Sequence, residues 1–244
     1  MTIDDILKSW RDREAAADPK TARWYIVAAA AMTASSCGPD SVKLYCLATE
    51  GLPLLDELIV QRRIKEAILK TSIFYGAPKS IAALFPISDI LDDEHLDRFA
   101  PRTESAKDPN DTARREAQGR AYFDTLWGPE LAEQHREKNK RIYGDLYTLN
   151  MSHSLSYYIS ELSILSAQET QMCNAAALIC SSCPVPAMWH TRGIVRFGGN
   201  VEDAAFAQGL ALDVAVFYGV ETGEVKRVDE IDFGNQGAEF ELLK

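Results

Sequence analysis

The chain lacks long apolar segments and any recognisable targeting signal. No run of about 18 apolar residues occurs, so the sequence predicts no membrane span. The first twenty residues include Asp4, Asp5, Asp12 and Glu14, and therefore resemble neither a secretory signal nor a basic transit peptide. The last four residues, ELLK, match no peroxisomal or retention address. These absences predict a cytoplasmic protein, and a mitochondrial location stays open.

The chain is also poor in positive charge. Its 26 Lys and Arg residues stand against 36 Asp and Glu residues, which gives a formal net charge of −10. Proteins that bind nucleic acid need clustered Lys and Arg to displace counterions, so this balance argues against nucleic-acid binding. It is compatible with a protein that binds small molecules or other proteins.

Several kinds of site are missing from the sequence. Five cysteines are an odd number, which is atypical of a disulfide framework and indicates a reducing compartment. Gly198 and Gly199 follow a predicted helix and not a strand, so no dinucleotide or phosphate loop is predicted. Cys180, Cys183 and His190 would supply only three metal ligands. We therefore expect neither a cofactor nor a metal.

The strongest pattern that is present is an internal repeat. Residues 22–37, ARWYIVAAAAMTASSC, align without a gap with residues 168–183, QETQMCNAAALICSSC. Downstream, LKTSIFYG at 69–76 corresponds to LDVAVFYG at 212–219, and a glycine separates the two blocks in each half. Ordered blocks with similar spacing predict two diverged copies of one helical unit.

Helical periodicity dominates the sequence and predicts an all-α fold. Apolar residues at helical spacing favour a long helix over 54–75. Asn200 with Asp203 predicts an N-capped start for a helix over 201–218. Further helices are predicted over residues 3–17, 22–35, 40–50, 79–91, 112–126, 129–142, 168–180 and 187–197.

These elements divide the chain into four regions. We predict an N-terminal helical repeat over 1–91 and a charged linker over 92–111. A second repeat follows over 112–220, and the tail, 221–244, has the composition of an extended arm.

The second repeat contains an ordered set of landmarks. These are RREAQG at 114–119, LWG at 126–128, YGDLY at 143–147, Glu169, His190 eight residues before Gly198, and FYG at 217–219. With them, the chain resembles the carboxymuconolactone decarboxylase and alkyl hydroperoxidase D superfamily of small all-helical proteins. The resemblance covers about residues 112–220 and, less closely, 20–91, where FYGAP at 74–78 matches the same aromatic ending.

The resemblance implies a proton-transfer site built on His190 and Glu169. Imidazole exchanges protons near neutral pH, because its unperturbed pKa is about 6.5. If the helices that carry these two residues pack antiparallel, Glu169 could orient His190 as a general acid or base. In the alternative interpretation, Glu169 is a first-turn acid favoured by the helix dipole, and His190 is an ordinary histidine.

The thiols allow a second interpretation. The hydroperoxidase branch has two cysteines three residues apart, with a histidine four residues after the second. Cys180 and Cys183 have the internal spacing, but His190 lies seven residues after Cys183. Counting back from His190 places Cys183 and Pro186 at the two positions, which leaves one thiol. The Ser-Ser-Cys sequence also recurs at Cys37, which favours a turn or packing role over redox chemistry.

An apolar substrate pocket is expected beside His190. The candidate lining residues are Trp189, Met188, Tyr143, Tyr147 and Phe197, which could equally be ordinary core. The first repeat has Arg23 in place of Glu169, and Lys43 or Leu44 in place of His190. It is therefore predicted to be a structural copy without a site.

Three functions follow as hypotheses. The leading one is a cofactor-independent decarboxylase, dehydratase or isomerase that acts on a small aromatic-derived, lactone or enone acid. The second is a thiol peroxidase or disulfide reductase that uses Cys180 and Cys183. The third is a non-catalytic helical assembly protein. Because single-copy members of the superfamily form trimers and hexamers, we also expect a homo-oligomer, a trimer or dimer of duplicated units.

Overall fold

The computed structural model describes residues 2–15 and 17–234, and these residues form an all-α fold without a β-strand. The long helices bury apolar faces against one another, and short turns connect them. In chain order the helices are α1 (Ile3–Arg13), α2 (Trp24–Ala34), a 3₁₀ turn (Gly38–Asp40), α3 (Ser41–Thr49), α4 (Leu54–Tyr75), α5 (Ala77–Asp89), α6 (Pro101–Ser105), α7 (Asp111–Trp127), α8 (Pro129–Ile142), α9 (Gly144–Tyr147), a π-helix (Thr148–Ile159), α10 (Ala167–Ile179), α11 (Pro184–Arg196), α12 (Val201–Tyr218) and a 3₁₀ turn (Val228–Glu230).

Local signals in the sequence set several helix ends. The predicted cap of α12 is confirmed: the Asp203 amide donates to Asn200 Oδ1 at 2.8 Å, and the Asn200 amide donates to the Asp203 carboxylate at 3.0 Å. Helix α4 spans the predicted 54–75 and stops at Gly76, whose φ of 86° suits glycine. Helix α11 starts three residues earlier than predicted, because Pro184 occupies a first turn that needs no proline N–H.

The repeated Ser-Ser-Cys sequence ends a helix in both halves. Ser36 and Ser182 adopt left-handed backbone conformations, with φ of 65° and 57°. The amides of Cys37 and Cys183 then each donate to the carbonyl five residues earlier, at 2.9 and 3.0 Å. This bond pattern is a Schellman motif, in which the left-handed residue reverses the chain. Equivalent positions in the two halves therefore share an uncommon backbone conformation as well as a sequence.

The two halves share one hydrophobic core. Helices α2 and α10 pack together at its centre, where Cys173 Sγ donates to the Ile26 carbonyl at 3.5 Å. The alanines of both helices are almost fully buried, and such small side chains let helix backbones approach closely. The same cluster of buried residues extends from Ile3 to Val228. Helices from both predicted repeat units thus contribute to the main cluster of buried residues.

Ion pairs hold the charged segment 92–111 against α4. Arg102 pairs with Glu66 through two hydrogen bonds of 2.6 and 3.0 Å, and both side chains are buried. Asp97 pairs with Arg62 at 2.7 Å. Buried charges need such partners, so these pairs hold the segment in place along the helix. The predicted charged linker is thus packed against α4.

A π-helix that the sequence did not predict follows α9. The Ser156 hydroxyl donates to the Met151 carbonyl, five residues earlier, at 2.7 Å. Helix α7 crosses this segment closely, because a Cβ atom on Gly119 would lie 2.7 Å from the Ser156 Cα. π-helical segments are rare and are frequently found at functional sites.

A buried lysine from the first half caps the π-helix. The Lys70 side chain of α4 is fully buried. Its ammonium donates to the Ile159 carbonyl at 3.1 Å, the Glu161 carbonyl at 2.5 Å and Thr170 Oγ1 at 2.8 Å. It thereby satisfies carbonyls at a helix C-terminus that would otherwise lack partners.

The first part of the tail packs on α12. The Val228 amide donates to Gln208 Oε1 at 3.1 Å, and Gln208 Nε2 donates to the Lys226 carbonyl at 2.9 Å. The predicted extended arm therefore folds back over residues 220–234, and its remainder, 235–244, lies outside the described residues. Within the described part of the chain, every helix is too short or too polar to cross a membrane.

Candidate functional site

A largely apolar cavity of about 180 Å³ lies where the second half meets the end of α4. Helices α7, α8 and α11 and the π-helix form most of its wall, and α4 contributes Ile73 and Phe74. The other lining residues are Phe123, Leu126, Trp127, His135, Asn139, Asn150, Met151, Ser154, Leu155, Ile159, Pro186, Trp189 and His190. Most lining side chains are apolar and only a few are polar, which is typical of sites for small organic ligands.

A chain of hydrogen bonds holds His190 in the wall of this cavity. His190 Nδ1 lies 2.7 Å from Gln171 Oε1, and Gln171 Nε2 donates to the Tyr122 hydroxyl at 2.7 Å. Because the Gln171 amide donates to Tyr122, its oxygen faces the imidazole and accepts the Nδ1 proton. The neutral ring therefore carries its proton on Nδ1, and Nε2 has a free lone pair. Gln171 is fully buried and does not line the cavity, so we infer that Nε2 faces the cavity.

Burial keeps this imidazole uncharged. Removal from water lowers the pKa of His190 from its ordinary 6.5 to about 4. The ring packs edge-on against Phe74, with ring centroids 5.7 Å apart. At neutral pH His190 is thus a proton acceptor in an apolar setting.

The predicted pair of Glu169 and His190 does not form. Glu169 caps α10, where its carboxylate accepts the Ser166 amide at 2.8 Å, and it pairs with the buried Arg63 at 2.6 Å. An α-helix turns about 100° per residue, so side chains two residues apart point in nearly opposite directions. Gln171 consequently faces His190, while Glu169 faces α4.

The two candidate thiols also lie away from the cavity lining. Cys180 is buried, and its Sγ donates to the Ala211 carbonyl of α12 at 3.4 Å. Burial raises the pKa of the Cys180 thiol to about 11, the opposite of activation. Cys183 precedes α11, with Sγ 3.3 Å from the Ser181 carbonyl, and both thiols are free. The residue one turn before His190 is Pro186, which does line the cavity.

Of the five predicted pocket residues, Trp189 lines the cavity. Tyr143 is exposed at the end of α8, and Tyr147 packs beneath the Lys140 ammonium. Met188 is buried, one position before Trp189, on a different face of α11. Phe197 packs on Tyr122, with ring centroids 4.4 Å apart. These four residues are close in sequence to lining residues, but their side chains do not line the cavity.

Gln171, Tyr122 and His135 were missed by the sequence reasoning. The available signal for Gln171 was an amide in the middle of an otherwise Ala-rich, buried helix. His135 stands in a charged segment of the sequence, yet it packs against Phe123 and Trp127, with ring centroids 5.4 and 5.1 Å apart. Burial first, and the neighbouring cations second, lower the pKa of His135 to about 4.

The absence of a side chain at Gly193 provides the space in which Gln171 contacts His190. A Cβ atom at Gly193 would lie 2.7 Å from Leu126 Cδ1, and closer still to Gln171 Oε1. Real Cβ atoms do not approach their neighbours so closely, so a larger residue would displace the amide. Gly193 thus positions Gln171, which in turn positions His190.

Two hydrogen-bonded asparagines belong to the cavity lining. Asn150 Nδ2 donates to Asn139 Oδ1 at 3.0 Å, and Asn139 Nδ2 donates to the His135 carbonyl at 2.9 Å. Asn150 is exposed, whereas Asn139 is partly buried.

The first half has apolar or aromatic residues at the positions equivalent to the His190 site. Tyr25 stands where the second half has Gln171, and Leu44 aligns with His190. Both side chains are at most 2% exposed. This half contributes Ile73 and Phe74 to the cavity lining.

Comparison with known proteins leaves the family open. No protein-family model matches the chain, and no solved structure matches it. The chain is similar to "Peroxisomal protein 2" of Schizosaccharomyces pombe, with 24% identity over 197 residues. The matched region covers 81% of this chain and 87% of the yeast protein.

Proposed function

We propose that the protein is a cofactor-independent enzyme that moves a proton on a small cyclic carbonyl compound bound in the cavity. The observation that carries this proposal is the 2.7 Å contact between His190 Nδ1 and Gln171 Oε1 in the wall of a largely apolar cavity. From this contact we infer a neutral imidazole whose Nε2 can accept a proton. The resemblance to the decarboxylase branch of the superfamily agrees with it, since that branch needs no cysteine pair.

His190 serves as the base in this proposal. Nε2 takes a proton from the carbon next to the substrate carbonyl, and the C–H electron pair moves into the carbonyl to give an enolate. The imidazolium then returns the proton to the same carbon or to another one, which gives exchange or isomerisation. Although the free site has a low pKa, the enolate formed beside the ring is an opposite charge and raises the imidazolium pKa during the reaction.

Gln171 replaces Glu169 as the group that orients the base. A neutral amide fixes the tautomer without adding charge, whereas a carboxylate would hold a proton on the ring. The Tyr122 hydroxyl limits rotation of the amide, because it accepts from Gln171 Nε2. Glu169 retains a structural role through Ser166 and Arg63.

Exchange of protons for deuterium at the carbons next to the carbonyl of cyclohexanone, followed by NMR in D₂O, tests the proposal. The wild type should accelerate this exchange above the rate in buffer, and His190→Gln should reduce it by about a hundredfold or more, as for loss of a general base. Glu169→Gln should keep most of the exchange in the folded fraction. Equal rates for wild type and His190→Gln would refute the assignment.

The thiol hypothesis makes a different prediction. The double variant Cys180→Ser with Cys183→Ser should retain proton exchange, because neither sulfur lines the cavity. Intact-mass measurement after treatment with hydrogen peroxide would show a loss of two hydrogens if these cysteines formed a disulfide. A disulfide with peroxide consumption, together with absent exchange, would support the hydroperoxidase branch instead.

We also propose an assembly state and a cellular compartment for the protein. We propose a homo-oligomer of duplicated units, which light scattering tests, and a clean monomer would contradict it. An inactive oligomer that binds no small molecule would favour the assembly-protein hypothesis.

The sequence favours the cytoplasm, whereas the name of the yeast relative concerns the peroxisome. Fluorescence of the tagged chain beside a peroxisomal marker decides between them.

A further inference from the structure

We propose that a cleft between α4 and residues 97–103 binds a small carboxylate that carries an apolar group, and that Arg62 holds the carboxylate. The cleft encloses about 300 Å³ and shares no lining residue with the cavity that contains His190. This second site is therefore independent of the proposed reaction.

Positive charge predominates in the lining of this cleft. Four lining residues are cationic and two are anionic, namely Arg62, Lys65, Arg98 and Arg102 against Glu66 and Asp97. Four positive charges less two negative ones leave a formal charge of +2, whereas the whole chain carries −10. A recess whose walls carry one sign of charge concentrates ligands of the opposite sign, so this one favours anions.

The two carboxylates are already paired and lie deeper than their cations. Glu66 accepts both terminal nitrogens of Arg102, at 3.0 and 2.6 Å. Asp97 accepts Arg62 Nη2 at 2.7 Å, and its carboxylate lies 3.4 Å from Lys65 Nζ. Both acidic side chains are 3% exposed, against 31% for Arg62 and 30% for Lys65. A ligand in the cleft therefore meets the cations more than the carboxylates.

Arg62 retains a donor that solvent can reach. Its Nε and Nη2 donate to Asp97, whereas Nη1 has no acceptor among the described residues. Nη1 is also absent from the buried polar atoms that lack a partner, so it is accessible from outside. The guanidinium lies over the Phe99 ring, 4.4 Å from its centroid, which helps to hold its orientation. Guanidinium groups bind carboxylates through charge-assisted hydrogen bonds.

Apolar side chains beside Arg62 select an anion with an apolar body. Leu69 and Phe99 line the cleft and are 36% and 38% exposed, and Ile164 lines it as a partly buried residue. A ring or short alkyl chain on the ligand would cover this surface and gain the free energy of burial, whereas an inorganic anion would not. The volume is sufficient, because an engineered cavity of about 150 Å³ binds benzene.

The electrostatics of Lys65 agree with a bound anion. Burial lowers the pKa of Lys65, and the neighbouring Arg62 charge also lowers this pKa, whereas Asp97 raises it. Arg62 and Lys65 thus repel each other across the cleft. An anion bound to Arg62 would offset that repulsion and raise the pKa of Lys65.

Calorimetric titration of the full chain at pH 7.5 with three ligands tests the ligand class. Phenylpropionate has both the charge and the ring, phenylpropionamide has the ring alone, and acetate has the charge alone. Phenylpropionate should bind about tenfold or more tightly than either of the others, because the hydrogen bonds to a charged group and the burial of the ring both contribute. The backbone amide signals of Phe99 and Ala100 in ¹H–¹⁵N spectra should shift, which locates the ligand in the cleft. Equal affinity for the amide, tighter binding of inorganic phosphate or unmoved signals would overturn the inference.

Arg62→Gln removes the accessible donor and its charge. It should weaken phenylpropionate binding by about tenfold or more. The matched control is Arg120→Gln, which removes an exposed arginine that pairs with Glu133 outside the cleft and should leave the affinity within about twofold. Equal affinities of these two variants would contradict the role of Arg62.

Arg98→Gln is a second variant, because Arg62 also holds Asp97 and its loss could disturb the fold. The Arg98 side chain is 66% exposed and pairs with the exposed Asp93, so its removal should leave the free energy of unfolding nearly unchanged. It should weaken phenylpropionate binding by about two- to threefold through the lost charge, and this difference should shrink as salt is added. An affinity equal to that of Arg120→Gln would count against the cleft as the binding site.

Discussion

Replacing Gln171 by Glu should convert the neutral His190 contact into an ion pair. The two side chains have the same length, and Gln171 Oε1 already lies 2.7 Å from His190 Nδ1. An opposite charge at this distance raises an imidazole pKa by roughly 1–3 units. We therefore expect the midpoint of His190 titration to move from about 4 to roughly 6. A rise of two units corresponds to about 2.7 kcal/mol of extra interaction with the protonated ring.

NMR titration of the imidazole signals measures this change. The protein has four histidines, so the spectrum is simple, and the signal lost in His190→Gln identifies His190. Because carboxylate and imidazole share a proton, the observed midpoint belongs to the pair. The matched control is Gln171→Met, which keeps the length and removes the acceptor, and should leave the midpoint well below 6.5. An unchanged midpoint in Gln171→Glu would show that residue 171 does not govern the protonation of His190.

Three further outcomes follow from the same geometry. Gly193→Ala should lower the free energy of unfolding, measured in urea, by about 1–3 kcal/mol because the added methyl group overpacks the site. Gly144→Ala is the control and should be nearly neutral, because a Cβ there meets nothing within 4 Å. Equal effects of the two substitutions would contradict the close packing at Gly193. Acid should destabilise the protein, because a histidine with a lowered pKa binds fewer protons in the folded than in the unfolded state. The contribution of His190 is fully present above pH 6.5 and is lost as the pH falls towards 4, by about 2 kcal/mol between pH 7.5 and 5. His190→Gln should lose correspondingly less over that interval, and parallel curves would contradict the burial argument. Iodoacetamide should label the exposed Cys46 in the folded protein and Cys180 only after unfolding, as peptide mass spectrometry would detect; early labelling of Cys180 would disprove its inert environment.

Elements with local signals could be predicted from the sequence. The Asn200 cap needs only a side chain and an amide three residues away, and the end of α4 at Gly76 needs one glycine. The π-helix had no comparable signature in the sequence; it lies where α7 approaches closely at Gly119, a contact between elements distant in the chain. The similarity between the two halves was visible in the sequence because both contain an alanine run followed by Ser-Ser-Cys.

The candidate site could be predicted in part. His190 and Trp189 line the cavity, and both were identified from the sequence. The partner of His190 was not, because choosing between Glu169 and Gln171 requires the rotation of α10 about its own axis. That rotation is set by tertiary contacts, among them the pairing of Glu169 with Arg63. Sequence spacing alone does not determine how α10 is rotated, and so does not tell which of the two residues faces His190.

The ammonium of Lys70 makes the two halves mutually dependent. Expressed without residues 1–91, the second half would leave the Ile159 and Glu161 carbonyls without their donor, and the cavity would open where Phe74 now closes it. The first half thus supplies one wall of the cavity that lies mainly in the second half. Two fragments cut between α5 and α7 should therefore regain the fold only when mixed, which makes this protein a natural starting point for a split reporter.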